Sequence, residues 1–139
     1  MLMRLRQIAA ATRQLADPVF VRRLAELEAE LQALEWLTLR ALSEHGTPAA
    51  TQWPAGSVLH VLGSELQQKT GAMLVEALGE RGVIAYPDRD DDETPTACPP
   101  GPDFAPGVTA DFLYRRAVTI YGGSNEIQRN LIARHWLGA

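Results

Sequence analysis

The stretch YGGSNEIQRN, residues 121–130, gathers the residues best suited to meet a ligand. Adjacent glycines, Gly122 and Gly123, permit backbone angles closed to other residues and let a bound molecule approach the main chain. Ser124 or Asn125 can cap the helix that follows, and Asn125 with Gln128 three residues on makes a loose capping box. The N–H groups left free at such a helix start suit an anionic or oxygen-rich ligand. A bare corner between two helices has the same spacing, so the residues alone leave both readings open.

Other reactive side chains are scattered. His45, His60 and His135 show no metal-ligand spacing. Ser124 has neither an adjacent histidine nor the strand-to-helix setting of a hydrolase nucleophile. Arg115, Arg116 and Arg129 can meet phosphates or pair with carboxylates across a helix interface. Trp36, Trp53 and Trp136 read as packing residues. Asp88, Asp90 and Asp92 alternate as in a calcium loop. However, Glu93 stands where that loop needs glycine and Pro99 where it needs glutamate, so the run reads as solvated.

The elements around these residues follow a helical period. A first helix is expected over residues 3–15; Arg4, Arg6 and Arg13 without an acid suit either a transit peptide or an amphipathic helix, and the helix is the reading adopted. Asp17-Pro18 supplies an N-cap and a first helical residue. The second helix then runs to about Ser43, with Phe20, Leu24, Leu27, Leu31 and Leu34 as a heptad seam. Its other faces, with Arg22, Glu26, Glu28 and Glu30, read as solvated. A turn-rich connection, residues 45–54, precedes a third helix from about Ala55 to Leu78. That helix carries Val58, Leu59, Leu62, Leu66, Met73 and Leu74 on one side. Gly63 and Gly71 each weaken it by about 1 kcal/mol relative to alanine, a cost that close helix packing would explain. Gly79 and Gly82 read as its terminators. Residues 85–107 are rich in Pro and Asp and read as a long exposed loop. A fourth helix is expected from about Thr109 to Ile120, and a fifth from the glycine pair to about Leu137. No segment alternates with a period of two, so the fold class is all-α, an up-and-down bundle forming one domain over residues 1–139.

Composition narrows the partners. Thirteen Lys and Arg against 17 Asp and Glu give a formal charge of −4, which disfavours nucleic acid. No apolar run reaches the roughly 20 residues of a membrane span. The single cysteine, Cys98, forms no internal disulfide and fits a reducing compartment, so a cytoplasmic chain is expected.

FLYRRAVTIYGGSNEIQRNLIARHWLG, from Phe112 to Gly138, closely resembles the closing segment of the acyl-CoA dehydrogenases. LADPVFVRRLAELEAELQALEW and the helix ending in EALGERG are similar to the same family's C-terminal helical domain, so the resemblance spans almost the whole chain. It implies FAD-dependent oxidation of acyl-CoA thioesters to the 2,3-enoyl form, with the cofactor carrying the redox step. It further implies that Gly123 lies beside the thioester and that Ser124, Asn125 and Glu126 contact FAD. The stretch Glu76, Ala77, Leu78, Gly79 and Glu80 would touch the FAD of a neighbouring subunit; many members have Gln at the position of Glu76 and a Gly-Gly pair at that of Gly79-Glu80.

Further departures bear on activity. Many members carry their catalytic glutamate where this chain has Gly122, and often a lysine where it has His60. Other members keep the base on an earlier helix, which this chain is expected to lack, together with the N-terminal helical and middle β domains. A missing base forfeits about 10²- to 10⁴-fold in rate. The chain alone is therefore expected to be inactive. It would act as a C-terminal domain or truncated subunit that walls an FAD and acyl-CoA pocket. It would assemble as a homo-oligomer, or as a hetero-oligomer with a chain supplying the other domains. The alternative is a helical interaction module that binds no flavin.

Overall fold

A computed structural model describes residues 1–83 and 102–138. Among these residues there are five α-helices: α1 (Leu2–Ala11), α2 (Pro18–Glu44), α3 (Ala55–Leu78), α4 (Val108–Tyr114) and α5 (Asn125–Leu137). The class is all-α, with no strand among the described residues.

α3 is the axis of the molecule and touches each of the other four helices. Buried residues consequently spread around it rather than along one stripe: Val61, Leu66, Met73, Leu74 and Ala77 are joined by Ser64, Thr70 and Gly71. Leu62, expected on the apolar side of this helix, is exposed. Cross-helix pairs fix the directions. Arg23–Glu76, Glu30–Lys69 and the approach of Leu34 to Gly63 descend one helix while climbing the other, so α2 and α3 are antiparallel. Thr109–Gly82, Phe112–Gly71 and Arg115–Gln67 set α4 antiparallel to α3 in the same way.

The α2 seam enters the core as expected, with Phe20, Leu24 and Leu27 buried and Leu31 and Leu34 packed against them. Asp17 caps the helix by accepting from Val19 N at 2.9 Å. The charged residues on its other faces do more than meet solvent: Glu28 pairs with Arg6, Glu26 with Arg22, and Glu30 with Lys69. Exposed pairs of this kind each contribute about 0–1 kcal/mol.

Two boundaries differ from the sequence expectation. The first helix ends at Ala11, because Arg13 adopts a left-handed conformation (φ 63°) before a 3₁₀ turn at Gln14–Ala16. The fourth is α-helical only to Tyr114 and then tightens into a 3₁₀ turn over Arg115–Thr119. α3 keeps its expected bounds: Gly79 ends it after Leu78, and of the two expected terminators Gly82 instead packs under Val75. Of the expected loop over 85–107, residues 85–101 lie outside the described residues, with Asp88, Asp90, Asp92 and Cys98 among them. The remainder is not an exposed loop. Ala105 is fully buried, Phe104 packs on the core, and Arg4 donates to the carbonyls of Phe104 (3.1 Å) and Pro106 (2.9 Å).

Candidate functional site

The glycine pair forms a tight corner at the end of the 3₁₀ turn, with φ of 72° at Gly122 and 94° at Gly123. Both angles lie in the region that L side chains rarely adopt, so the backbone favours glycine at both positions. Ser124 caps α5, its Oγ accepting from Ile127 N at 3.4 Å. Gln128 does not complete a capping box; its amide donates back to the Gly122 carbonyl at 3.3 Å and lies over Gly123.

The four residues expected at this corner differ in what they expose. The Asn125 side chain is buried between α5 and α3, within 3.0 Å of the Ser64 hydroxyl. Its main-chain N–H, at the start of α5, is one of the donors that a helix leaves unpaired. Glu126 is exposed, and its own main-chain N–H and the Ser124 hydroxyl hold its carboxyl below the usual range. Gly123 and Ser124 are half-buried.

The second expected cluster lies elsewhere. Ala77 and Leu78 point into the core and are closed to a ligand, while Gly79 and Glu80 are exposed. Glu76 pairs with Arg23 at 2.7 Å. Gly79 has a φ of 59°, its N–H donates to the Glu76 carbonyl, and no atom of a described residue lies within 4 Å of where a Cβ would stand. His60, against the corner, and Glu76 are 16 residues apart on α3, about 24 Å along its axis. The corner and the 76–80 stretch therefore occupy opposite ends of one helix and do not form one site within the chain.

The arginines divide. Arg115 pairs with Asp111 at 2.9 Å and donates to Gln67; the Asp111 carboxylate raises its pKa. Arg129 pairs with Glu65. Arg116 lies 5.7 Å over the Phe112 ring and forms no ion pair with a described residue. Of the tryptophans, Trp53 is held by Glu44 (2.6 Å) under Arg40, whereas Trp36 and Trp136 are exposed, contrary to their reading as packing residues. An apolar cavity of about 320 Å³ between α1, α2 and α3, lined by Leu27, Leu31, Leu34 and Leu66, carries no ionised side chain and lies apart from the corner. No metal-binding cluster exists among the described residues, and no helix there is long and apolar enough to cross a membrane.

Sequence reasoning noted His60 only as a departure from the family's usual lysine and did not place it in the site. Its ring faces Gly122, with Cε1 3.4 Å from where a Cβ at that position would stand. The available signal was the spacing of His60 and Ser64, four residues apart on one face of α3.

The unpaired Asn125 main-chain N–H at the start of α5 fits an oxygen acceptor of a dinucleotide, and the exposed Gly79 leaves room for such a molecule to approach. Glu76, Glu80 and Glu126 repel phosphate, so these regions suit the uncharged edges of such a cofactor rather than its pyrophosphate.

Residues 1–137 match the family model described as acyl-CoA dehydrogenase, C-terminal domain. The chain is 31% identical over 132 residues to acyl-CoA dehydrogenase IpdE1 of Mycobacterium tuberculosis (strain ATCC 25618 / H37Rv), covering 95% of this chain and 30% of that protein. It is 70% identical over 27 residues to acyl-CoA dehydrogenase IpdE1 of Mycolicibacterium smegmatis (strain ATCC 700084 / mc(2)155), covering 19% of this chain and 7% of that one. The chain thus spans less than a third of the length of the curated relatives it matches. No solved structure matches it significantly.

Proposed function

Because this chain belongs to the acyl-CoA dehydrogenase family, as its C-terminal domain, we propose that it forms one wall of an FAD and acyl-CoA site in an assembled dehydrogenase. The observation that carries this reading is the corner at Gly122–Gly123, which leaves main chain bare just before the capped start of α5. In that role Gly123 admits the thioester, and Ser124, Asn125 and Glu126 meet the cofactor largely through main-chain groups. FAD, when bound, accepts hydride from the β carbon of the acyl group.

Gly122 has no side chain to take the α proton, so the base comes from another element of the assembly and the isolated chain is inactive. Glu76, Gly79 and Glu80 serve a second cofactor site, that of a neighbouring subunit. Their distance from the corner supports this division, since a dimer or hetero-oligomer places such remote half-sites against different flavins.

A second reading, a helical interaction module that binds no flavin, draws on the absent base and on the exposed apolar residues Trp36, Leu39, Leu42 and Trp136. Co-purification with the chains encoded beside it separates the two. Flavin absorbance in the assembled sample, with a thermal shift on adding an acyl-CoA, supports the pocket. A stable, colourless oligomer indifferent to both FAD and acyl-CoA overturns it in favour of the module.

A further inference from the structure

We propose that His60 is a carbonyl-binding residue, its Nδ1–H donating to the carbonyl oxygen of a thioester held over the Gly122–Gly123 corner. This deepens the pocket reading and rests on it. Three observations converge on the imidazole.

The first is its position. Cε1 and Nδ1 lie 3.4 and 3.9 Å from where a Cβ on residue 122 would stand, so glycine keeps open the space that this edge of the ring faces. The second is its hydrogen bonding. His60 Nε2 is the one buried side-chain nitrogen or oxygen without a partner among the described residues. Nδ1 also has no protein partner there, yet it is not enclosed. A buried, unpaired N–H is rarer and costlier than an under-used acceptor. The neutral tautomer that avoids it carries its proton on Nδ1, directed at the open space. The third is rigidity. Ser64, one turn further along α3, meets Asn125 at 3.0 Å, and Gln128 holds the Gly122 carbonyl. The ring and the corner are thereby fixed relative to one another.

Charge selects the ligand group. The nearby cation Arg129 is already paired with Glu65, and Glu126 stands exposed beside the corner. A phosphate would meet the repelling Glu126 carboxylate, whereas a neutral carbonyl oxygen needs only a donor. A neutral imidazole can polarise such an oxygen where negative charge develops on it. His60 then supplies orientation and polarisation and leaves proton removal to a base outside this chain.

The test uses the assembled flavoprotein and an acyl-CoA labelled with ¹³C at the thioester carbonyl. Infrared difference spectra should show the bound carbonyl stretch shifted to lower frequency in the wild type. The shift should be lost in His60→Ala and partly restored in His60→Gln, whose amide keeps a donor. Affinity should fall by up to about tenfold in His60→Ala, the scale of one hydrogen bond. ¹⁵N spectra of wild-type His60 give a readout that needs no variant: Nδ1 should be the protonated nitrogen and should move when the acyl-CoA binds. Wild-type binding with a carbonyl frequency unmoved by His60→Ala, or with an unchanged Nδ1 signal, overturns this inference alone. An assembly that binds no acyl-CoA overturns the pocket reading as well.

Discussion

An alanine at Gly123 would set its methyl group 2.7 Å from Gln128 Nε2 on a backbone with φ of 94°. Gly123→Ala should therefore lose about 1–2 kcal/mol from the left-handed backbone alone, and more from the displaced amide. Thermal unfolding should show it to be less stable than Gly122→Ala, whose methyl group would meet the His60 ring at a looser 3.4 Å. A second residue-scale effect concerns acid. The Trp53 indole N–H, and after it Arg40, hold the Glu44 carboxyl below its ordinary value of 4.5. The unfolded chain protonates this group first, so its contribution is complete above that value and is lost as pH falls through the lowered pKa. In Trp53→Phe the Glu44 carboxyl, followed by ¹³C NMR, should titrate closer to 4.5, and stability should depend less on pH in that window. The turn at Gly122 and Gly123 was legible, because a double glycine before a capping residue has few structural uses. The burial of Asn125 and the meeting of His60 with Gly122 were not, since both depend on how α5 lies across α3.

Two glycines that look alike in the α3 sequence sit in different surroundings. Around Gly63 the nearest atom to a new Cβ is Leu34 Cδ2 at an ordinary 3.8 Å, whereas at Gly71 it is Phe112 Cδ2 at 3.3 Å. Gly63→Ala should raise stability by up to about 1 kcal/mol through helix propensity. Gly71→Ala should gain little or lose stability, because Phe112 must give way; chemical denaturation of the two variants checks the contrast. Close packing thus accounts for Gly71 and leaves Gly63 as a plain propensity cost. The long helices α2 and α3 were legible to within a residue or so, from Asp17-Pro18 at one start and glycine at the other end. The shortening of α1 and the tightening at Arg115 were not. Each depends on a tertiary contact: α1 on its turn into α2, and Arg115 on its tie to Asp111 and Gln67.

At the scale of the molecule, the outer surface carries more large apolar side chains than the heptad reading implied. Trp36, Leu39 and Leu42 line the last third of α2, with exposures of 66%, 56% and 67%, and Ile127 and Leu131 lie one turn apart on α5. Apolar residues repeating along a helix in this way mark surfaces that other protein covers. Trp36→Lys with Leu42→Glu should shift the elution of an assembled sample toward smaller species and leave its helical circular dichroism unchanged. An unaltered elution volume would remove this face from the assembly. The bundle also grips the chain on both sides of residues 84–101. Thr109 Oγ1 donates to the Gly82 carbonyl at 2.6 Å, and Arg4 holds Phe104 and Pro106. These anchors tie the entry of α4 to the end of α3 on one side and to α1 on the other. A segment pinned at both partners moves only with them, so the 3₁₀ turn and the glycine corner that follow α4 inherit the register of α3.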